Sequence, residues 1–269
     1  MSFDYTGKTV FVAGGTSGIN LGIALGFVEA GARVAVLSRS QAKVDAAVAK
    51  LSAARAGAEA IGFAADVREH EHVAAALAST KERFGSIDVL VSGAAGNFPA
   101  PAMGISPKGF RSVVEIDLLG TFHVLRAALP HLAQPGGCII NISAPQAYVP
   151  MEMQMHVCAA KAGVDMVTRV AAMEWGPLGV RVNSISPGPI AETEGVERLA
   201  PTEALRAIVT ESVPLKRFGT ARDIANACLW LASPMASYVT GAVIPVDGGW
   251  ALGGASSSVG EMKKAMMGG

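Results

Sequence analysis

The chain is poor in charge. Of its 269 residues only 16% are Asp, Glu, Lys or Arg, against 51% hydrophobic and a mean hydropathy of +0.39. Globular proteins average about 25% charged residues, so little polar side chain is available to solvate a large surface. A long hydrophobic run is also missing. A membrane helix needs about 18 or more consecutive apolar residues, and the most apolar stretch, Ala227–Val246, is interrupted by Ser233, Pro234, Ser237, Thr240 and Pro245. The low charge is therefore expected to reflect a large core and buried subunit contacts, with no membrane span. Neither sign is in surplus, since 22 Lys+Arg meet 22 Asp+Glu. That argues against the basic footprint of a nucleic-acid binder.

Cysteines are few. Cys138, Cys158 and Cys228 are far apart, odd in count and without ligand spacing, so neither a disulfide framework nor a metal site is expected. They fit small buried hydrophobes in a reducing compartment. The opening MSFDYTGKTV lacks the basic and apolar regions of a signal peptide. The closing AMMGG is neither a prenylation site nor an SKL-type address. A cytoplasmic protein is the expectation.

What is present is alternation. Short β-branched runs at Thr9–Ala13, Arg33–Leu37, Ala60–Ala64, Ile87–Val91, Gly137–Ile142, Arg181–Ile185 and Ala242–Val246 read as strands. Between them, Ile19–Glu29, Gln41–Ala54, Glu69–Phe84, Lys108–Leu132, Ala159–Gly176 and Ala221–Leu231 read as helices. The strands are continuous apolar runs, as expected when both sheet faces are covered. The pattern predicts one α/β domain over residues 1–255, a doubly wound parallel sheet of about seven strands with helices on both faces, then a C-terminal tail at 256–269. A Pro- and Gly-rich stretch from Pro187 to Pro201 breaks the alternation. It fits either a substrate-covering loop, extending over about 187–212, or a plain surface connector.

After the first strand comes Gly14-Gly15-Thr16-Ser17-Gly18-Ile19-Asn20-Leu21-Gly22. Glycines here permit a tight turn and close backbone approach, and the following helix start offers free N–H groups and a positive dipole end to a pyrophosphate. Gly14, Thr16, Ser17, Gly18 and Ile19 are thus candidate dinucleotide contacts. An acidic residue ending strand two would bind a ribose 2′-hydroxyl. It is absent. Ser38-Arg39-Ser40 stands there instead, and the Arg39 guanidinium suits a 2′-phosphate, favouring NADPH. Asp66-Val67 either caps the next helix or meets the adenine ring.

Several motifs in order resemble the short-chain dehydrogenase/reductase family across nearly the whole chain. They are the Gly14–Gly22 turn, Asp66-Val67, Asn141-Ile142-Ser143, Lys161, Arg181-Val182-Asn183, Pro187-Gly188-Pro189 and the closing Val246-Asp247-Gly248-Gly249. The resemblance implies a Rossmann-type core, hydride transfer from a nicotinamide cofactor and a homotetramer. It also implies cofactor contacts from Ala94, Gly96, Lys161, Pro187, Gly188 and Ile190. The family's catalytic tyrosine is missing. Val157 stands four residues before Lys161, and Asp117 stands where the family has an asparagine. Valine has no proton to donate to a carbonyl.

One branch of the family lacks that tyrosine, the 2,4-dienoyl-CoA reductases of peroxisomal type. Ala94-Ala95-Gly96-Asn97-Phe98, Gln154-x-His156, Glu174-Trp175-Gly176-Pro177 and Gly188-Pro189-Ile190 with Thr193-Glu194-Gly195 all resemble it. The resemblance assigns catalysis to Asp117 and Lys161. A tyrosine serves in the mitochondrial type at the position of Gln146, which makes nearby Tyr148 a further candidate. In such a reaction hydride adds at the far end of a conjugated thioester and charge moves to the enolate oxygen, which needs hydrogen-bond donors. Lys161 would bind ribose hydroxyls and supply positive potential, with Asp117 holding Lys161 or a water.

Asn97, Phe98, Ser143, His156 and Thr193 are candidate substrate contacts. Asn97 and Phe98 equally fit a structural turn, and His156 equally fits a satisfied wall residue. Met151, Met153 and Met155 fit either a soft acyl wall or ordinary core. Lys263-Lys264 fit a solvated tail or a contact to CoA phosphates. Apolar helices at Lys108–Leu132 and Ala159–Gly176, with the Trp250–Ala255 segment, are the expected subunit contacts. The expected activity is reduction of a conjugated acyl-CoA to an enoyl-CoA in unsaturated fatty-acid β-oxidation. Reduction of a 3-oxoacyl thioester, or a non-catalytic NADP-binding protein, are the alternatives.

Overall fold

Period-two alternation builds two cores at once. In β1 (Thr9–Ala13), Val10 and Val12 enter one apolar cluster while Phe11 and Ala13 enter the other. In β2 (Arg33–Ser38), Val34 and Val36 divide from Ala35 and Leu37 in the same way. Successive side chains point to opposite faces, and here both sets are apolar, so each face requires a helical layer. The computed structural model describes residues 3–267, with side chains described through Glu261.

Between β1 and β2 runs α1 (Gly18–Glu29), followed by α2 (Gln41–Ala53), β3 (Ala60–Ala64), α3 (His70–Phe84) and β4 (Val89–Ser92). Next come α4 (Pro107–Val114), α5 (Gly120–Ala128), β5 (Cys138–Ile142), α6 (Met155–Trp175) and β6 (Arg181–Pro187). The chain continues through α7 (Glu194–Leu199), α8 (Glu203–Ser212), α9 (Ala221–Ala232), β7 (Val243–Val246) and α10 (Gly254–Met267). The seven strands are all parallel, in the order β3-β2-β1-β4-β5-β6-β7. Helices α1, α2 and α9 cover one face, and α3, α5 and α6 the other. Strand order reverses between β1 and β4, the switch point where a crevice opens beyond the strands' carboxyl ends.

The predicted strands and most helices are present with ends moved by a residue or two. Four features differ. The single helix expected over Lys108–Leu132 is interrupted by a π-helical segment, Glu115–Leu119, closed by the Gly120 N–H donating to Glu115 O. Gly120 is pressed on the loop after β3, where a Cβ would lie 2.7 Å from Val67 Cγ2, and the helix ends at Leu129–His131, around Pro130. Helix α6 begins at Met155, earlier than expected. The Pro187 segment carries two short helices, α7 and α8, capped by the Thr193 and Thr202 side chains.

The segment read as a tail is helical over most of its length. In α10, Ala255 and Ser258 are buried, and Val259 packs with Leu205 and Val209 of α8. Trp250 is buried with Met151, Val213 and Ala255, and its indole N–H donates to Ser212 Oγ at 3.0 Å. Trp250, Ala255 and Val259 are thus used within the subunit. The three methionines do not form one wall, since Met151 is core and Met155 is half exposed. The side chains of Lys263 and Lys264 lie outside the described residues. Among the described residues, no helix is long and apolar enough to cross a membrane, and no cluster of His, Cys, Asp or Glu forms a metal site.

Candidate active site

A cleft of about 520 Å³ lies across the carboxyl ends of the strands. Its floor on the β1 side is the glycine-rich turn. Gly14 has φ +79°, and a Cβ there would sit 2.9 Å from Ala94 Cα, so only glycine lets the two turns meet. Ser17 begins α1 without a side-chain cap bond, leaving the first N–H groups of the helix to the cleft. Asn20 Nδ2 donates to Gly93 O at 2.7 Å and ties this turn to the end of β4.

The cleft surface collects most of the predicted cofactor residues. Gly14, Thr16, Ser17, Gly18, Ile19, Ser38, Arg39, Asp66, Val67, Ala94, Gly96, Lys161, Pro187, Gly188 and Ile190 all line it. Asn97, Asp117, Ser143 and Thr193 line it as well. Ser40 does not: its hydroxyl caps α2 by accepting from Lys43 N at 3.4 Å. Arg39 is exposed at the end of β2, beside Lys43 one helical turn further on. Lys43 was not singled out from the sequence. It lies in the first turn of α2, just after Arg39, where both side chains border the cleft. Asp66 is forked by Arg68 at 3.0 and 2.6 Å, which holds its carboxyl below the usual range and ionised, with Arg39 assisting. It is therefore an acceptor at neutral pH. The free helix start, the glycine-permitted approach and the paired cations suit a phosphorylated dinucleotide.

At the other end is a buried ion pair. Asp117 is 1% exposed and Lys161 6%. The Gly96 N–H donates to Asp117 Oδ1 at 2.7 Å, and Lys161 Nζ lies 3.3 Å from Oδ2 while donating to Ile142 O at 2.9 Å. Asp117 belongs to the π-helical segment and is its buried residue. The local anchor is Thr121 Oγ1, which donates to Asp117 O at 2.7 Å. An ammonium has three donors. One meets Ile142 and one faces Asp117, which leaves one for the cleft. Val157, at the family's tyrosine position, is buried at 3% and also lines the cleft.

Besides Ser40, three predicted residues stand away from this surface. The Tyr148 hydroxyl is 3.1 Å from Ser186 Oγ on β6, and burial raises its pKa. It is not brought to Asp117 or Lys161. His156 is fully buried, its ring tilted against Phe98 with centroids 4.3 Å apart and neither ring nitrogen hydrogen-bonded. Burial lowers its pKa against the pull of the Asp117 charge, so the ring is neutral at pH 7. His156 and Phe98 together form a wall behind the cleft. Across its mouth, Arg198 of α7 donates to Asn97 O at 2.5 Å and to Glu194 at 3.0 Å, while Glu194 lies 3.8 Å from Lys43. The covering helix therefore touches both ends of the site.

Removing one member of a buried ion pair costs about 3–5 kcal/mol because the other charge is left uncompensated. Asp117→Ala is expected to lower stability in that range, by denaturant unfolding. The double variant Asp117→Ala with Lys161→Met should recover part of the loss.

Residues 13–251 match the family model described as Enoyl-(Acyl carrier protein) reductase. The peroxisomal 2,4-dienoyl-CoA reductase, (3E)-enoyl-CoA-producing, of Rattus norvegicus is 44% identical over 243 residues, 90% of this chain and 83% of the relative. The probable 2,4-dienoyl-CoA reductase, (2E)-enoyl-CoA-producing, of Bacillus subtilis is 37% identical over 245 residues, 90% and 96% of the two chains. A solved short-chain type dehydrogenase/reductase from Mycobacterium ulcerans matches with a TM-score of 0.88 and 32% identity, covering 94% of this chain and 92% of that one. With the family model spanning most of the sequence and relatives aligned over 90% of it, the protein belongs to the short-chain dehydrogenase/reductase family of oxidoreductases.

Proposed function

We propose that the protein is an NADPH-dependent 2,4-dienoyl-CoA reductase acting in unsaturated fatty-acid β-oxidation. The observation that carries this reading is the buried Asp117–Lys161 pair in a cleft where valine replaces the phenol. A ketone substrate calls for a proton donor at its oxygen. A conjugated thioester instead develops charge on an enolate oxygen, which fixed donors and a cation stabilise. The reduced nicotinamide, when bound, supplies the hydride. Lys161 holds ribose hydroxyls and places positive potential beside that oxygen. Asp117 Oδ2, which accepts no hydrogen bond within the chain, keeps the ammonium in place and offers an acceptor to the water that protonates carbon. Asn97, Ser143 and Thr193 border the substrate end, with Phe98 and His156 backing it.

The names of the relatives support the same chemistry. Those at 42–44% identity, from animals, yeast and plant, are (3E)-enoyl-CoA-producing, and we assign this chain the same product. Arg39 and Lys43 support NADPH, because two cations suit a 2′-phosphate dianion. The compartment is read as cytoplasmic from the sequence, although several relatives are named peroxisomal.

We also assign a homotetramer. Leu119 and Phe122, with Met166, Val170 and Met173 at helical spacing on α6, are 44–79% exposed. They make an apolar surface on the two helices expected to meet their copies.

The decisive assay is NADPH oxidation with trans-2,trans-4-dienoyl-CoA against 3-oxoacyl substrates. Turnover of the dienoyl thioester is expected, and turnover of only the 3-oxoacyl substrate would refute the reading. Asp117→Ala, assayed where it is folded, should lose at least about a hundredfold in turnover. In cofactor titrations, Arg39→Ala should weaken NADPH about tenfold or more, a charged hydrogen bond being worth about 1.5–3 kcal/mol. Lys43→Ala should weaken NADPH in the same sense, and both should leave NADH binding unchanged. Light scattering on the eluting protein should report four 27.5 kDa subunits; a monomer contradicts the assembly.

A further inference from the structure

The mechanism above leaves one buried acid unused. Asp165 lies on α6 one helical turn after Lys161, on the same face. It is 4% exposed, and its Oδ1 has no hydrogen-bond partner. A carboxyl in that position is costly unless it is neutral or paired. Facing it are the ends of β5 and β6, where Asn141 pairs in register with Ser184. The hydroxyls of Ser143 and Ser184 are close enough to favour its ionised form, although neither closes a hydrogen bond to Oδ1. Ser143 is 3% exposed, its Oγ has no partner in the chain, and it lines the cleft.

Counting protons decides which of these groups can donate. Thr168 Oγ1 lies 2.9 Å from Val164 O, which only accepts, so Thr168 donates there. Asn141 Nδ2 donates to Thr168 Oγ1 at 2.8 Å, and Ser184 Oγ, also at 2.8 Å, must then donate to it as well. Ser143 is left as the one hydroxyl of this cluster with a free proton. It can turn that proton inward to an ionised Asp165, or outward to the cleft if Asp165 itself carries one.

We propose that Asp165 is a positioning residue that sets the direction of the Ser143 hydroxyl. As the neutral acid it donates to Ser143 Oγ, and Ser143 presents its own proton to the enolate oxygen of the thioester. This rests on the reductase reading and adds to it a second donor besides Lys161. Burial is the largest influence on Asp165 and raises its pKa. The charged groups that oppose this are Lys161 and Arg169 on its own helix. Tyr148, beyond the short helix Pro145–Ala147, also feels its charge. Asp117 reaches it only through Lys161, and β5 and β6 present the neutral hydroxyls of Ser143 and Ser184. The outward direction therefore holds at low pH and is lost as pH rises through the Asp165 pKa, when Ser143 turns inward.

The test combines kinetics with infrared titration. Ser143→Ala should lower kcat on the order of a hundredfold, the cost of one preorganised donor, and Asp165→Ala should lower it comparably, both with the KM for NADPH unchanged. The pair should be non-additive, with Asp165→Ala/Ser143→Ala no slower than Ser143→Ala. Asp165→Asn, whose amide donates at every pH, should rescue the Asp165→Ala loss and remove the alkaline fall in kcat. Additive losses, full activity in Asp165→Ala, or an Asp165→Asn variant as slow as Asp165→Ala would overturn the proposal. The infrared arm needs no substrate. A protonated-carboxyl stretch that persists above the ordinary carboxylate range and vanishes in Asp165→Asn supports the inference, and its absence in the unmodified protein overturns it. Wild-type protein without dienoyl-CoA turnover refutes the reductase reading, while the infrared result still decides the state of Asp165.

Discussion

An ion pair withdrawn from water imposes conditions on everything near it. Asp117 and Lys161 are both at least nine-tenths buried, and such a pair is tolerated only where further hydrogen bonds meet its remaining donors and acceptors. The Gly96 N–H meets Asp117 Oδ1 and the Ile142 carbonyl meets Lys161 Nζ, while Asp117 Oδ2 has only the ammonium opposite it. Each of these backbone groups comes from a turn or strand end at the carboxyl edge of the sheet, one after β4 and the other closing β5. The parallel sheet thus supports the pair directly, by holding two backbone groups in register beneath α6 and the π-helical segment. Any change that displaced β4 from β5 would leave charge in the interior without partners.

The two ends of the cleft use charge differently. At the cofactor end, Arg39 and Lys43 are exposed and face a region bordered by free helix N–H groups. Charges in that position act at the surface, screened by solvent. At the chemical end the charges are buried, where the effective dielectric is lower and a fixed cation influences a developing anion strongly. Helix α7 connects the two environments, since Glu194 approaches Lys43 while Arg198 reaches Asn97 O. Its contacts are few and exposed, as expected of a covering element with low local stability.

Legibility followed periodicity. Runs such as Thr9–Ala13 and Arg33–Leu37 are recognisable because every residue after the first is apolar, and the glycine turn because its position after β1 has a mechanism. The helix over Lys108–Leu132 carried a helical pattern but no mark of the π-helical segment. That interruption ends at Gly120, which packs closely on Val67, a residue distant in sequence. The start of α6 was equally hidden, because Gln154 caps it without a side-chain bond. Lys43 was available by its place just after Arg39. Asp165 was not, because its significance lies in what surrounds it. Tyr148 lies close in sequence to Gln146, which lines the cleft, yet its hydroxyl is taken to Ser186 by a backbone turn that a residue count does not reveal.

By itself the sequence determined the layered α/β architecture, the dinucleotide turn, the absence of a phenol before Lys161 and the candidacy of Asp117. These are local facts, written in the order and polarity of neighbouring residues. Tertiary structure decided which polar atoms have partners. It brought Asp117 onto Lys161 from positions far apart in the chain, withdrew His156 and Phe98 into a wall, and left Asp165 buried beside the one hydroxyl with a proton to direct. Hydrogen-bond satisfaction depends on which groups meet after the chain has folded back on itself, and only the folded molecule contains that information.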